Sequence, residues 1–171
     1  MGICTLSSAL CRAESVAIMH EFNDMVPKSE LTFPNRPSDY SVGVTDLVTY
    51  TGSGSGTFSS EGGYIGFSLP RNGSTLVTSP AVPGLSALLF GHTYGSAPKF
   101  IKVYVSEDGS VWTDMSAVAT YTTTTIDLVL PSAGDYYVKL VNTGTSKPVF
   151  FRVVTYTYDP APCNCFRYIA P

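Results

Sequence analysis

The segment KFIKVYVSEDGSVW, Lys99 to Trp112, decides how the chain is read. Ile101, Val103 and Val105 fall on one face, and Phe100, Lys102 and Tyr104 on the other. A two-residue period of this kind belongs to a strand with one face against a core. Asp108-Gly109 then marks a tight turn, because glycine adopts positive φ without steric cost. Val111-Trp112 starts the return, so the segment predicts a β-hairpin carrying the single tryptophan.

Alternation continues on both sides of this hairpin. Upstream, Gly63 to Leu69 puts Ile65, Phe67 and Leu69 on one face. Asn72-Gly73 is a type I′ turn signal, and Ser74 to Thr78 returns. That turn also accounts for the sequon Asn72-Gly73-Ser74 without a glycan. Leu85 to Tyr94 is the most apolar run and predicts a central strand. Downstream, Tyr121 to Leu130, Asp135 to Asn142 and Pro148 to Tyr158 each read as strands. Nearer the start, Val16 to Phe22 reads as a strand or short helix, and Ser41 to Thr51 as a strand. Between them Asn23 to Asp39 holds three prolines and reads as a surface loop. Gly52 to Gly56, GSGSG, is short enough to be a hairpin loop rather than a linker. About nine or ten short strands without a helical period predict an all-β fold, an antiparallel β-sandwich of jelly-roll type. One domain is expected over residues 14–159, with residues 160–171 as a tail.

Composition narrows the function classes. A chain of 171 residues, 44% hydrophobic and 13% charged, is a folded domain rather than a disordered one. A net charge of −3 argues against nucleic acid as a partner. No apolar run reaches the roughly 20 residues of a transmembrane segment. Met1 to Ala13 resembles the tail of a secretory signal without its basic region, with an ordinary N-terminus as the alternative. A secreted or cell-surface location is expected on that basis. A lipid anchor at Cys11 is disfavoured by the large Leu10 before it. Cys4, Cys11, Cys163 and Cys165 lack Cys-x-x-Cys spacing and a nearby histidine, which speaks against zinc. If Met1 to Ala13 is removed, Cys163 and Cys165 remain alone, as free thiols or as a pair whose bridge across one residue would be strained.

Three runs carry a family resemblance. IKVYVSEDGSVWTDM, Ile101 to Met115, resembles the strand-turn-strand of discoidin-like and related galactose-binding-type jelly rolls. IDLVLPSAGDYYVKLVNTG, Ile126 to Gly144, resembles the strand-turn-strand that follows in such domains. LVTSPAVPGLSALLF, Leu76 to Phe90, is similar to the entry of jelly-roll modules attached to secreted bacterial polysaccharide-degrading enzymes. Together they span roughly Tyr64 to Tyr158. The resemblance implies a non-catalytic accessory module that binds glycan or packs beside an enzyme. SEDGSVW is one residue shorter than the Asp-box pattern, so no sialidase-type motif is read. The terminal cysteines of discoidin-type domains are not matched by position.

Candidate sites follow from residue chemistry. No nucleophile elbow accompanies His20 or His92, and the acids Asp108, Asp114 and Asp135 stand singly in turns. The adjacent Glu107-Asp108 reads as turn support, so no catalytic site is expected. A structural calcium at Glu21, Asn23, Asp24 and Asp159 is an option if the terminal strands pair, against ordinary loop polar residues. With Ile101, Val103, Val138, Leu140, Phe151 and Val153 turned inward, Lys102, Tyr104, Tyr137, Lys139, Arg152 and Tyr156 share an exposed sheet face. Tyrosines stack on sugar rings, and Lys and Arg favour carboxylates, so this face is expected to bind polysaccharide, with a preference for uronate-bearing polymers. The bland alternative is a solvated sheet of cross-strand Lys and Tyr pairs. Binding by loops would favour Tyr40, Tyr94 and Trp112 instead, although Trp112 also suits a core edge. The rival function is a protein-binding adhesion or assembly module, its partner a catalytic domain or surface protein.

Overall fold

The computed structural model describes residues 15–21, 39–41, 49–53, 57–61, 64–79 and 81–158. The protein is all-β, with twelve strands and no helix among the described residues. Every strand pair is antiparallel. The count exceeds nine or ten because very short strands, such as Thr113–Asp114 and Thr120–Tyr121, carry too few residues to show a period. In chain order the strands are β1 (Val16–Glu21), β2 (Asp39–Ser41), β3 (Thr49–Ser53), β4 (Thr57–Glu61), β5 (Tyr64–Leu69) and β6 (Ser74–Ser79). They continue as β7 (Val82–His92), β8 (Ile101–Ser106), β9 (Thr113–Asp114), β10 (Thr120–Tyr121), β11 (Thr125–Asn142) and β12 (Val149–Tyr158). The main path runs β2-β3-β6-β11-β7-β12-β5-β4, with β1 on β12, β10 on β11, and β8 between β11 and β9.

The long strand β11 joins two ladders. Thr125 to Val129, Gly134 and Tyr136 pair with β7, whereas Tyr137 to Asn142 pair with β8 and Lys139 to Asn142 also with β6. Sequence reading placed a turn between two strands here, at Pro131 to Gly134. The hydrogen-bonded strand is continuous there, but its register against β7 slips between Val129 and Gly134 and again before Tyr136, and its two ends, Thr125 beside Gly91 and Asn142 beside Ile101, both return to the 93–100 loop. Inward phase is kept across the slip, since Ile126, Leu128, Leu130, Val138 and Leu140 are all buried. Both ladders feed one core: Phe67, Leu88 and Phe90 from one, Leu76, Val103 and Leu140 from the other. That arrangement is consistent with a β-sandwich. Asn72 and Gly73 take the positive φ expected of the turn, 66° and 87°, but β5 and β6 do not pair across it: β5 lies against β4 and β12, and β6 against β3 and β11.

Two expectations are corrected. The β8–β9 connection is no two-residue turn but residues 107–112, and the return strand starts at Thr113, after Trp112. Gly109 still takes positive φ, 73°, within that loop. The second correction concerns Tyr156, which is completely buried rather than outward. On β12, Phe151 pairs with His92 but Val153 pairs with Gly91, so Arg152 is the extra residue of a β-bulge. A single inserted residue swaps the faces of all that follow. Val154 and Tyr156 therefore point inward, and Val153 does not.

Candidate ligand-binding cleft

The β8–β9 loop is held in shape by one carboxylate. Asp108 Oδ1 accepts the backbone N–H groups of Ser110 and Val111, both at 2.8 Å, and the Ser106 hydroxyl at 2.9 Å. Ser106 Oγ in turn accepts the Gly109 N–H at 2.9 Å. These donors, the Val111 N–H first, hold the Asp108 carboxyl far below the usual carboxylate range. Beyond β9, Asp114 Oδ1 accepts the Ser116 N–H at 2.8 Å, while Ser116 Oγ accepts from the Val103 N–H at 3.0 Å. Hydrogen bonds from Ser116 lower the Asp114 pKa most, with a smaller contribution from the Lys102 charge.

On one side of this loop a cleft of about 460 Å³ opens where β11 changes partners. Val105, Met115, Leu130 and the Tyr136 ring supply apolar wall. Glu107, Asp108, Thr113 and Ser132 supply carboxylates and hydroxyls, and no cation lines the space. Its size lies within the roughly 300–1,000 Å³ of small-molecule sites, and so does its mix of apolar surface with few polar groups. Sequence reading missed Met115, Leu130, Ser132 and Tyr136. Only the slip in β11 turns residues 130–136 toward the β8–β9 loop.

On the other side lies the predicted sheet face, now with a loop residue added. Tyr104 and Lys139 are direct cross-strand partners, and Tyr137 stands opposite Ser106. Trp112 folds over this surface: Lys139 Nζ lies 4.0 Å from its ring centroid and 5.1 Å from that of Tyr104. Tyr137 lies under Gly109, where an added Cβ would sit 3.5 Å from its ring. Burial lowers the Lys139 ammonium pKa, while the two ring faces act in the opposite sense. A sugar stacking on the ring faces that Lys139 covers would have to displace it. Lys102, Tyr104, Tyr137 and Lys139 are thus brought together with Trp112, but as a closed cluster. Arg152 sits on β12, in the other ladder, and Tyr156 is in the core.

Of the remaining expected residues, several lie outside the described ones. Tyr94 packs edge-on against Phe100, centroids 5.1 Å apart, at the end of β8 away from the cleft. Tyr40 pairs with Tyr50 in β2, and its side chain lies outside the described residues. The terminal strands β1 and β12 do pair, but antiparallel: Glu21 faces Val153, whereas Tyr158 faces Val16. At ~3.3 Å per residue, the backbone before Asp159 is therefore about 17 Å from Glu21 along the ladder. Asn23, Asp24 and Asp159 lie outside the described residues. No group of three or more His, Cys, Asp or Glu fit to hold a metal occurs among the described residues.

His92 is buried, 6% exposed, and packs edge-on against Phe151 at 6.3 Å. Its Nδ1 accepts the Tyr94 N–H at 3.3 Å. Burial lowers its pKa, outweighing the Thr125 and Thr122 carbonyls that favour the charged form. Comparison with family models and with curated proteins finds no match, so the argument for a site rests on this geometry.

Proposed function

We propose that the chain is a non-catalytic carbohydrate-binding module, with the cleft between the β8–β9 loop and the β11 slip as its site. The observation that carries the reading is the composition of the walls. An aromatic ring and apolar side chains can cover the C–H face of a sugar, while carboxylates and hydroxyls beside them pair with its OH groups. Glu107 and Asp108 without a lining cation favour an uncharged sugar here. The uronate preference expected of the sheet face does not carry over to this cleft. The resemblance to jelly-roll modules of secreted bacterial enzymes supports an accessory role at the cell surface or outside the cell.

A glycan array with neutral and acidic oligosaccharides tests the reading, followed by calorimetry on any hit. Glu107→Gln and Tyr136→Phe are expected to weaken binding of a neutral sugar by about tenfold each, the cost of about one charge-assisted or buried hydrogen bond. No binding to any neutral sugar, or binding indifferent to both variants, refutes it. A second reading has its own observation. Met19 and Val129, 60% and 74% exposed, lie on the outer face of the β1–β12–β7–β11 ladder. There the cross-strand rows Met19–Thr155–Leu89–Asp127 and Ala17–Thr157–Ala87–Val129 contain no lysine or arginine. Such a surface suits a protein partner.

A further inference from the structure

Glu107 and Asp108 line the cleft, and Asp135 stands one residue from it on β11. Among the described residues, the opposite end includes 70–73, 93–100, 122–124 and 143–148, none of them acidic, with Asp127 of β11 two residues in from it. Three of these loops each present one exposed cation: Arg71, Lys99 and Lys147.

These loops are stitched into one surface. The completely buried Asn142 side chain donates to the Leu69 carbonyl at 2.8 Å and the Lys147 carbonyl at 3.4 Å, and accepts from the Gly144 N–H at 2.9 Å. Asn72 N–H and Gly73 N–H donate to the Gly144 and Asn142 carbonyls, at 2.9 and 2.7 Å. Arg71 Nη1 reaches the Thr145 carbonyl at 3.2 Å. The third loop is joined by Thr143, whose N–H and hydroxyl both donate to the Phe100 carbonyl, at 3.0 and 2.7 Å. Tyr94, edge-on to Phe100, adds a half-buried aromatic ring to the same end.

We propose that this loop end is a second binding surface, distinct from the cleft, for an acidic polysaccharide. Three cations held on rigid loops fit a row of carboxylates borne by successive sugars, and Tyr94 offers a ring for stacking. Duplex nucleic acid, with one charge per ~1.7 Å, calls for more phosphate contacts than three side chains make.

Affinity electrophoresis of the whole chain through gels containing polygalacturonate or dextran tests this, with duplex DNA as a competitor. Polygalacturonate is expected to retard the protein at low salt and dextran not to. Retardation is expected to vanish near 0.3 M salt, where the Debye length is roughly 5–6 Å. The triple variant Arg71→Gln/Lys99→Gln/Lys147→Gln is expected to lose about tenfold in retardation, as three exposed ion contacts would. Lys99→Arg/Lys147→Arg is expected to retain it, and Glu107→Gln in the cleft to leave it unchanged. No retardation of the parent, an unaffected triple variant, equal retardation by dextran, or tighter binding of DNA each overturns the proposal. Failure of neutral-sugar binding in the cleft alone does not touch it.

Discussion

Replacing Lys139 with methionine removes a charge while keeping most of the apolar stem. Lys139 Nζ stands 4.0 Å from the Trp112 ring and 5.1 Å from the Tyr104 ring. Cation–π contacts range from about 0.5–1 kcal/mol when exposed to about 2 when desolvated. Lys139 is half-buried, so its ammonium keeps contact with water and the lower range applies. Two rings at these distances give about 1–1.5 kcal/mol. Methionine on an aromatic face returns a few tenths of that. The net loss is therefore about 1 kcal/mol, or about 2–4 °C in Tm for a domain of this size. The single tryptophan makes the assay local as well as global, because Trp112 emission reports the very contact removed. Urea unfolding of the parent, Lys139→Met, Trp112→Leu and the double variant gives a coupling energy free of stem packing. A coupling of about 0.5–1.5 kcal/mol, with a changed Trp112 emission in Lys139→Met, is expected. A coupling below about 0.3 kcal/mol with unchanged emission refutes a stabilising contact between Lys139 and the Trp112 ring.

Three other outcomes test the rest. Tyr156→Ala is expected to cost about 3–5 kcal/mol and Tyr137→Ala less than about 1.5, by chemical denaturation; equal costs would contradict the bulge at Arg152. Gly66→Ala drives a Cβ into the Phe151 carbonyl and the Phe150 ring, so a loss of at least about 2 kcal/mol is expected in the urea midpoint. The His92 pKa is lower in the folded chain than its unfolded ~6.5, so its neutral form is the favoured one. Stability from this source is full above pH ~6.5 and falls as the pH drops toward the folded pKa, a decline that His92→Leu is expected to abolish in unfolding midpoints taken from pH 8 to 5.

Much of the fold was readable because a period of two needs only neighbouring residues. Val103 and Leu140 declared their faces this way, and the pair Asn72-Gly73 its turn. The site was legible only in pieces. Tyr104, Tyr137 and Lys139 were placed on one face correctly, and Trp112 was offered as a separate loop alternative. Nothing local showed that Trp112 folds back over Lys139. Residues 131–134 carry turn chemistry, Pro-Ser-Ala-Gly, and were read as a reversal. Inward positions are even-numbered on both sides of these residues, at Ile126, Leu128 and Leu130 and again at Val138 and Leu140, with the exposed Ser132 between them.

From the chain alone came the secondary-structure class, the inward phase of each run before any irregularity, and the absence of an apolar span long enough for a bilayer helix. These depend on side-chain alternation and turn stereochemistry, which act over a few residues. Tertiary structure decided the bulge at Arg152, the change of partners along β11, the cleft beside it and the gathering of Arg71, Lys99 and Lys147. Each of these is a matter of which strand or loop stands opposite which, set by hydrogen bonds and packing between segments tens of residues apart. A local pattern carries no information about its partner across the sheet.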